Sequence, residues 1–383
     1  MISSKEYIAG SYRRQLANQI GEYECFVPNS LNKEFIIQNK IFELNEEAMR
    51  LVGELNAYSH IVPDVDFFIS MHVRKEALQS SRIEGTHTDI DDVVLDEEDV
   101  SPERRDDWRE VQNYIKALNT AIARLSDLPL SMRLLNEAHA VLLKGARGDG
   151  KTPGKIRTRQ NWIGGASVNS AVFIPPHVDI LPELLSDLET FWHNNTISLP
   201  KLIKIAITHY QFETIHPYAD GNGRIGRLLI TLQLINYGIL TKPTLYMSDF
   251  FEKNRASYYD ALTEVRSHNN LDHWLKFFLE GVIASATSSK QRFENIMELR
   301  SAYAKKVVTL GRRAENANKL IEYMYASPVV SVPQASRLLG ISKSNAGPLI
   351  SALASEPIGI LKEITGFSRN RLFILDEYIR IFR

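Results

Sequence analysis

Cysteine is almost missing from this chain: Cys25 is the only one among 383 residues. One thiol excludes an intramolecular disulfide and any cysteine-built metal cage, and it fits a reducing, cytoplasmic setting. Long apolar runs are missing too. No hydrophobic stretch reaches the roughly 20 residues that cross a bilayer, so no membrane partner is expected. Met1 to Arg14 hold no apolar segment of the kind a signal peptide needs. An excess of one charge is also lacking. With 45 Lys and Arg against 46 Asp and Glu, the net charge is −1, which commits the whole chain to neither nucleic acid nor an anionic surface. Repeats and low-complexity tracts are absent. What remains is a globular mix, 44% hydrophobic and 24% charged, long enough for two or three domains with sizeable cores.

One stretch concentrates chemistry: His216-Pro217-Tyr218-Ala219-Asp220-Gly221-Asn222-Gly223-Arg224-Ile225-Gly226-Arg227. Leu228, Leu229, Leu232 and Ile235 follow at helical spacing, so the polar cluster leads into a buried helix. A helix start offers unpaired N–H groups and a positive dipole end to an anion. Gly221 and Gly223 carry no side chain to block close approach. Imidazole titrates near neutral pH, which makes His216 a candidate general base. Magnesium takes few carboxylates and completes its shell with phosphate oxygens and water, so Asp220 alone suits it as a protein ligand.

The twelve residues resemble the signature of Fic-domain proteins, with Tyr218 at the aromatic position. Members of that family are mostly protein adenylyltransferases, which move AMP from ATP to a hydroxyl of a target protein. The resemblance implies a cradle for ATP with Mg²⁺, built by His216, Gly221, Asn222, Gly223, Arg224, Ile225, Gly226 and Arg227. Asp220 would hold the metal, and Arg227 would take the γ-phosphate. Tyr258 and Tyr259 match a pair that lines the adenine pocket in related proteins, although core packing is the alternative for both. Family members with lysine at the position of Gly223 transfer phosphate instead, so Gly223 favours AMP transfer.

Upstream, a helix expected over about 64–85 ends in Ser80-Ser81-Arg82-Ile83-Glu84-Gly85. Ser-x-x-x-Glu-Gly resembles the inhibitory motif of many Fic proteins, in which Glu84 would displace the γ-phosphate from Arg227, with Ser80 as part of the motif. A guanidinium that forks onto phosphate also forks onto a carboxylate. Ala171, Val172 and Phe173 begin a short strand, ended by Pro175-Pro176, which resembles the family's flap, a β-hairpin that docks the target. A plain surface hairpin is the alternative.

Other features read as scaffold. Asn45, Ser131 and Asp272 are expected helix caps, and Pro63-Asp64 is expected to open the inhibitory helix. The acids from Asp89 to Asp99 read as a solvated segment, His139 as a packed residue, and Gly145 to Gly154 as a flexible connection. From Gly311-Arg312-Arg313, a linker, the order helix, Gly340 turn, helix and two strand-like runs resembles a winged helix-turn-helix. Ala346, Gly347 and Pro348 make its second helix a poor reading surface, so DNA is the less favoured partner and protein docking the favoured one.

The expected fold is all-α, a mostly helical Fic core with a small β-hairpin flap, plus a C-terminal winged helix-turn-helix-like domain. The expected divisions are 1–125, an N-terminal helical region; 126–310, the catalytic core; and 311–383. The expected function is a self-inhibited adenylyltransferase acting on a Ser, Thr or Tyr hydroxyl of an unidentified target protein and of itself. AMP removal, transfer of another nucleotide or phosphate group, and a DNA-binding regulator that senses nucleotide remain the competing readings. A homodimer stays open.

Overall fold

The computed structural model describes residues 2–3, 7–16, 21–61, 64–145 and 152–383. Pro63 and most of the Gly145–Gly154 connection lie outside the described residues. Among the described residues the chain is mainly helical: α1 (Asn39–Ile61), α2 (Val65–Ile83), α3 (Ile90–Val93), α4 (Arg105–Arg124), α5 (Met132–Leu142), α6 (Leu181–His193), α7 (Lys201–Ile215), α8 (Asn222–Asn236), α9 (Ser248–Lys253), α10 (Arg255–His268), α11 (Leu271–Val308), α12 (Ala314–Ala326), α13 (Val332–Leu339), α14 (Lys343–Ala354) and α15 (Asp376–Arg380). None of these helices is long and apolar enough to cross a membrane.

The sheets are small. β1 (Ile2–Ser3) pairs in parallel with β4 (Phe35–Ile36), and β2 (Gly10–Gln15) pairs antiparallel with β3 (Tyr23–Pro28). A hairpin at this place is not foreshadowed, because four of the six β2 residues face solvent and show no alternation. Gly10 is required there, since a Cβ would meet the Val27 carbonyl at 2.2 Å. β5 (Val329–Ser331), β6 (Lys362–Glu363) and β7 (Leu372–Ile374) form a third sheet in the order β5-β7-β6.

Helix α2 is the central strut. Thirteen of its nineteen residues are buried, including Glu76, Gln79, Ser80 and Ser81. A buried carboxylate needs donors, and Glu76 has three: the Tyr114 hydroxyl at 3.1 Å, the Ser248 amide at 3.1 Å and the Ser248 hydroxyl at 2.5 Å. These bonds tie α2 to α4 and α9. The helix stops at Glu84, because Gly85 turns away at φ 95°.

Several caps fall elsewhere than expected. Helix α1 starts at Asn39, and Asn45 is buried inside it, because the apolar stripe already begins at Ile41. Asn270 rather than Asp272 caps α11, accepting from the His273 amide. Ser131 does cap α5, through the Leu134 amide. The segment expected as a flap strand makes only one bridge, Ile163 to Phe173, with a 3-10 turn at Val168–Ser170. Pro175 and Pro176 have no N–H for a ladder, and the Ile174 carbonyl is taken by the Phe26 amide at 2.9 Å.

The C-terminal unit joins the strut. Gly311–Arg313 is a 3-10 turn, not an extended linker. On α12, the Tyr325 ring lies tilted 5.0 Å from Phe68, and the Ala326 carbonyl accepts from the Ser70 hydroxyl at 3.1 Å. Phe382 lies edge-on to His72 at 5.0 Å. The acidic segment is stitched down rather than merely solvated: Asp92 pairs with Arg104, Glu97 with Arg109, and Asp91 with Arg383 at 2.6 Å.

Replacing Glu76 by Ala should strand the Tyr114 and Ser248 donors. Unfolding free energy from urea titration should fall on the order of 3 kcal/mol; a change below about 0.5 kcal/mol would show that the strut does not depend on this carboxylate.

Candidate active site

The loop between α7 and α8 is bent by two left-handed residues, His216 at φ 51° and Gly221 at φ 76°. Its shape is held from inside. The Asn222 side chain accepts from the Tyr218 amide at 2.8 Å and donates to the Tyr218 carbonyl at 2.8 Å. The side chain expected to meet phosphate therefore closes the loop, and is 2% exposed. Ile225 is likewise used up: its side chain is in the core and its N–H bonds to the Gly221 carbonyl.

Four residues outside the twelve hold the loop. Arg157 donates from Nε to the His216 carbonyl at 2.9 Å and from Nη2 to the Pro176 carbonyl, and its own amide bonds the Pro217 carbonyl. Burial pushes its guanidinium down to about 10. His139 stacks on Tyr218 at 3.9 Å. Its Nδ1 accepts from the Gly154 amide, so Nε2 carries the hydrogen and donates to the Asp220 carbonyl at 2.9 Å. His209 donates from Nδ1 to the Gly226 carbonyl and accepts at Nε2 from the Tyr258 hydroxyl at 2.8 Å. Glu110 on α4 lies 3.5 Å from Arg224, which also faces Asp220 at 3.8 Å. Backbone-directed roles of this kind leave no spacing pattern; the only sequence hint is the histidine on each of α5 and α7.

His216 sits with its Nδ1 3.3 Å from the Glu213 carbonyl, which can only accept. The hydrogen therefore belongs on Nδ1, and Nε2 keeps its lone pair. Burial pushes this imidazole down to about 4, so it is neutral at ordinary pH. Glu213 itself is buried, its Oε1 lacks a hydrogen-bond partner among the described residues, and burial pushes its carboxyl up to about 7. Asp220 accepts at Oδ1 from the Gly221 amide at 2.7 Å and leaves its side chain 43% exposed at the start of α8.

Arg227 is buried, with a side chain only 1% exposed. Its Nε donates to the Ser80 hydroxyl at 2.9 Å, and its Nη2 donates to the Ser80 carbonyl at 2.9 Å and to Glu84 Oε1 at 2.6 Å. The end of α2 thus meets the first turns of α8. Burial would raise the Glu84 carboxyl, but Arg227, aided by Arg224 and His216, holds it below the ordinary value. Gly223 makes room for this contact: a Cβ there would meet Glu84 Oε1 at 2.2 Å.

The remaining expected residues lie around this centre. Tyr258 is buried and stacked 4.5 Å from Phe251, whereas Tyr259, 41% exposed, is the member of the pair open to a ligand. In the flap segment Val172 is 81% exposed, and Phe173 is buried beneath Arg266, whose guanidinium lies 4.0 Å from its ring. Ala171 lies beside them, half-buried.

The Glu84–Arg227 clasp should respond to acid. A carboxyl held below its unfolded value contributes stability above the ordinary 4.5 and loses it as pH falls through the lowered value. The urea-midpoint gap between wild type and Glu84→Gln should hold from neutral pH to about 5 and shrink toward pH 3. An unchanged gap at the acid end would mean that the carboxylate charge is not what holds the clasp.

Comparison with known proteins agrees with this layout. Residues 42–123 match the family model described as Fic/DOC family N-terminal, and residues 129–234 match the Fic/DOC family model. The protein adenylyltransferase fic-1 of Caenorhabditis elegans is 29% identical over 189 residues, 49% of this chain and 33% of that protein. A probable protein adenylyltransferase of Aquifex aeolicus is 35% identical over 94 residues, 24% of this chain and 27% of that protein. The chain thus spans about a third of the length of the curated relatives it matches. Among solved structures, a Fic family protein from Desulfovibrio desulfuricans superposes with TM-score 0.56 at 22% identity, covering 90% of this chain and 98% of that one. Fic-1 from C. elegans superposes with TM-score 0.51 at 22% identity, covering 68% and 73%. The fold is shared with both, and through residues 42–234 the chain belongs to the Fic/DOC family.

Proposed function

We propose that this chain is a protein adenylyltransferase held in check by Glu84. The observation that carries the reading is the clasp: a buried guanidinium at the start of α8 whose outer donor is occupied by a carboxylate from another helix. The names of the relatives support transfer of AMP. The chemistry of the donors supports the place of the triphosphate, because a guanidinium that donates to a carboxylate at 2.6 Å offers the same donor to a phosphate. With Glu84 withdrawn, Arg227 would take the γ-phosphate, and the open start of α8 beside Gly221 and Gly223 would face the others.

His216 Nε2 takes the proton from a Ser, Thr or Tyr hydroxyl of the target. The hydroxyl oxygen attacks the α-phosphorus, the bond to the β-phosphate oxygen breaks, and pyrophosphate leaves. Arg157 and Glu213 fix the imidazole. Asp220 fits Mg²⁺, since its carboxylate is partly exposed and one acid beside phosphate oxygens meets the ion's needs. When bound, the ion neutralises phosphate charge. The exposed Val172 edge is the proposed docking place for an extended stretch of the target.

A second reading rests on the exposure of Glu84, whose side chain is 36% open to solvent. From there it can align a water for removing AMP from a modified protein. The same residue would restrain one direction and serve the other.

Incubation with α-labelled ATP and Mg²⁺ tests this reading. Glu84→Gly should raise protein-bound label, its own included, roughly 10- to 100-fold, the worth of one charge-assisted hydrogen bond. His216→Ala in that background should abolish it. Equal labelling of wild type and Glu84→Gly would refute the inhibition, and label arriving from the γ-position would point to phosphate transfer. Because His216 is held at about 4, the Glu84→Gly rate should stay flat from pH 8 down to 6. A loss with a midpoint near the ordinary imidazole value of 6.5 would refute the neutral base.

A further inference from the structure

Residues 311–383 carry a charge that the rest of the chain does not: ten Lys and Arg against six Asp and Glu, in a chain that is slightly acidic as a whole. The charges are also sorted by face. Glu315 pairs with Lys319 at 2.8 Å, Glu322 faces Arg300 at 3.8 Å, Glu363 accepts from the Gly366 amide at 2.9 Å, and Asp376 pairs with Arg383 at 3.2 Å. Four of the six acids are thereby engaged within the protein. Arg312, Arg313, Lys343 and Arg369 are exposed, and their side chains make no hydrogen bond or ion pair among the described residues.

Three of the four free cations lie on one helix or against it: Lys343 on α14, and Arg312 and Arg313 in a cleft beside it. Helix α14 contains no acid, and Lys343, Ser344, Asn345, Pro348 and Ser351 form its exposed face over buried Ala346, Leu349, Ile350 and Leu353. Pro348 sits inside the helix without ending it. On one flank a cleft of about 220 Å³ brings Arg312, Arg313 and Asn316 against Asn345 and Pro348. The ribbon β6–β7 ends in an acid-free tip, Gly366 to Arg371, where Phe367 is 63% exposed and Arg371 lies 5.3 Å over the Phe373 ring. Helix, strand, helix, turn, helix and ribbon follow one another with sheet order β5-β7-β6. That succession is one in which a second helix enters a groove and a wing rests on the backbone.

We propose that this face binds duplex DNA, with α14 in the major groove and Arg369 and Arg371 on the phosphates. Lysine and asparagine near a helix start are groups that read guanine and adenine edges, and arginines on flanking turns position the duplex. A protein, the partner that the sequence alone favours, is the competing occupant, and an acidic one would suit these cations. It is disfavoured because the outward face of α14 offers small polar side chains rather than the aromatic anchors of a protein interface. The inference is independent of the transfer reading, since none of these residues touches the α7–α8 loop.

Fluorescence anisotropy of the full chain with a labelled random-sequence duplex of about 30 base pairs tests it. Affinity should fall between about 50 and 200 mM salt with a log–log slope of roughly −3 to −4, as for about four neutralised phosphates. Arg369→Glu with Arg371→Glu, and separately Lys343→Glu, should each weaken binding roughly tenfold or more, at unchanged helical content. Arg13→Glu with Lys40→Glu, a distant exposed pair, should change it less than about twofold. The proposal falls if the duplex is not bound at the lower salt, if the distant pair costs as much as the wing pair, or if a poly-glutamate chain is held as tightly as the duplex.

Discussion

A guanidinium cannot be left alone in a protein interior, and Arg227 is almost wholly buried. Desolvation makes acceptors obligatory. Ser80 supplies two and Glu84 a third, all from the last turns of α2. The end of one helix is therefore pinned to the beginning of another, 143 residues later in the chain. Much of the surrounding packing keeps that meeting in register: Glu76 fixes α2 against α4 and α9, and the small side of Gly223 lets the carboxylate in. A triphosphate would have to replace Glu84 without leaving Arg227 unsatisfied, and Ser80 makes that exchange possible by keeping two of the three bonds in place.

The centre is legible in the sequence where its chemistry is local. Glycine, carboxylate, imidazole and guanidinium within twelve residues describe an anion site before any fold is known, and the resemblance adds the distant glutamate. The support is not legible. Arg157 works by donating to carbonyls, and His139 and His209 work as neutral imidazoles bridging backbone and tyrosine. Such roles leave no spacing and no charge pattern behind. Asn222 and Ile225 turn their side chains inward, because a motif records who must be present and not which way each side chain points.

The same limit applies to the fold. Helices with one apolar face, such as α4 and α5, stand out by period. Helix α2 is legible from its ends rather than its period, since its buried face includes the polar Glu76, Gln79 and Ser80, which blur the contrast that periodicity needs. The β2–β3 hairpin is hidden for the opposite reason, being too exposed to alternate. The acidic run from Asp89 looks solvated until its arginine partners arrive from α4 and from Arg383, the last residue of the sequence.

Helix α2 ends on Arg227 but is also clad along its length by Tyr325 and Phe382. Amputating everything after α11 would strip that cladding and bare Phe68 and His72 to water. A shortened protein would then report the misery of an unroofed helix as much as the loss of a DNA-facing surface. Point changes on the outer side of α14, far from the roof, dissect the two without that confusion.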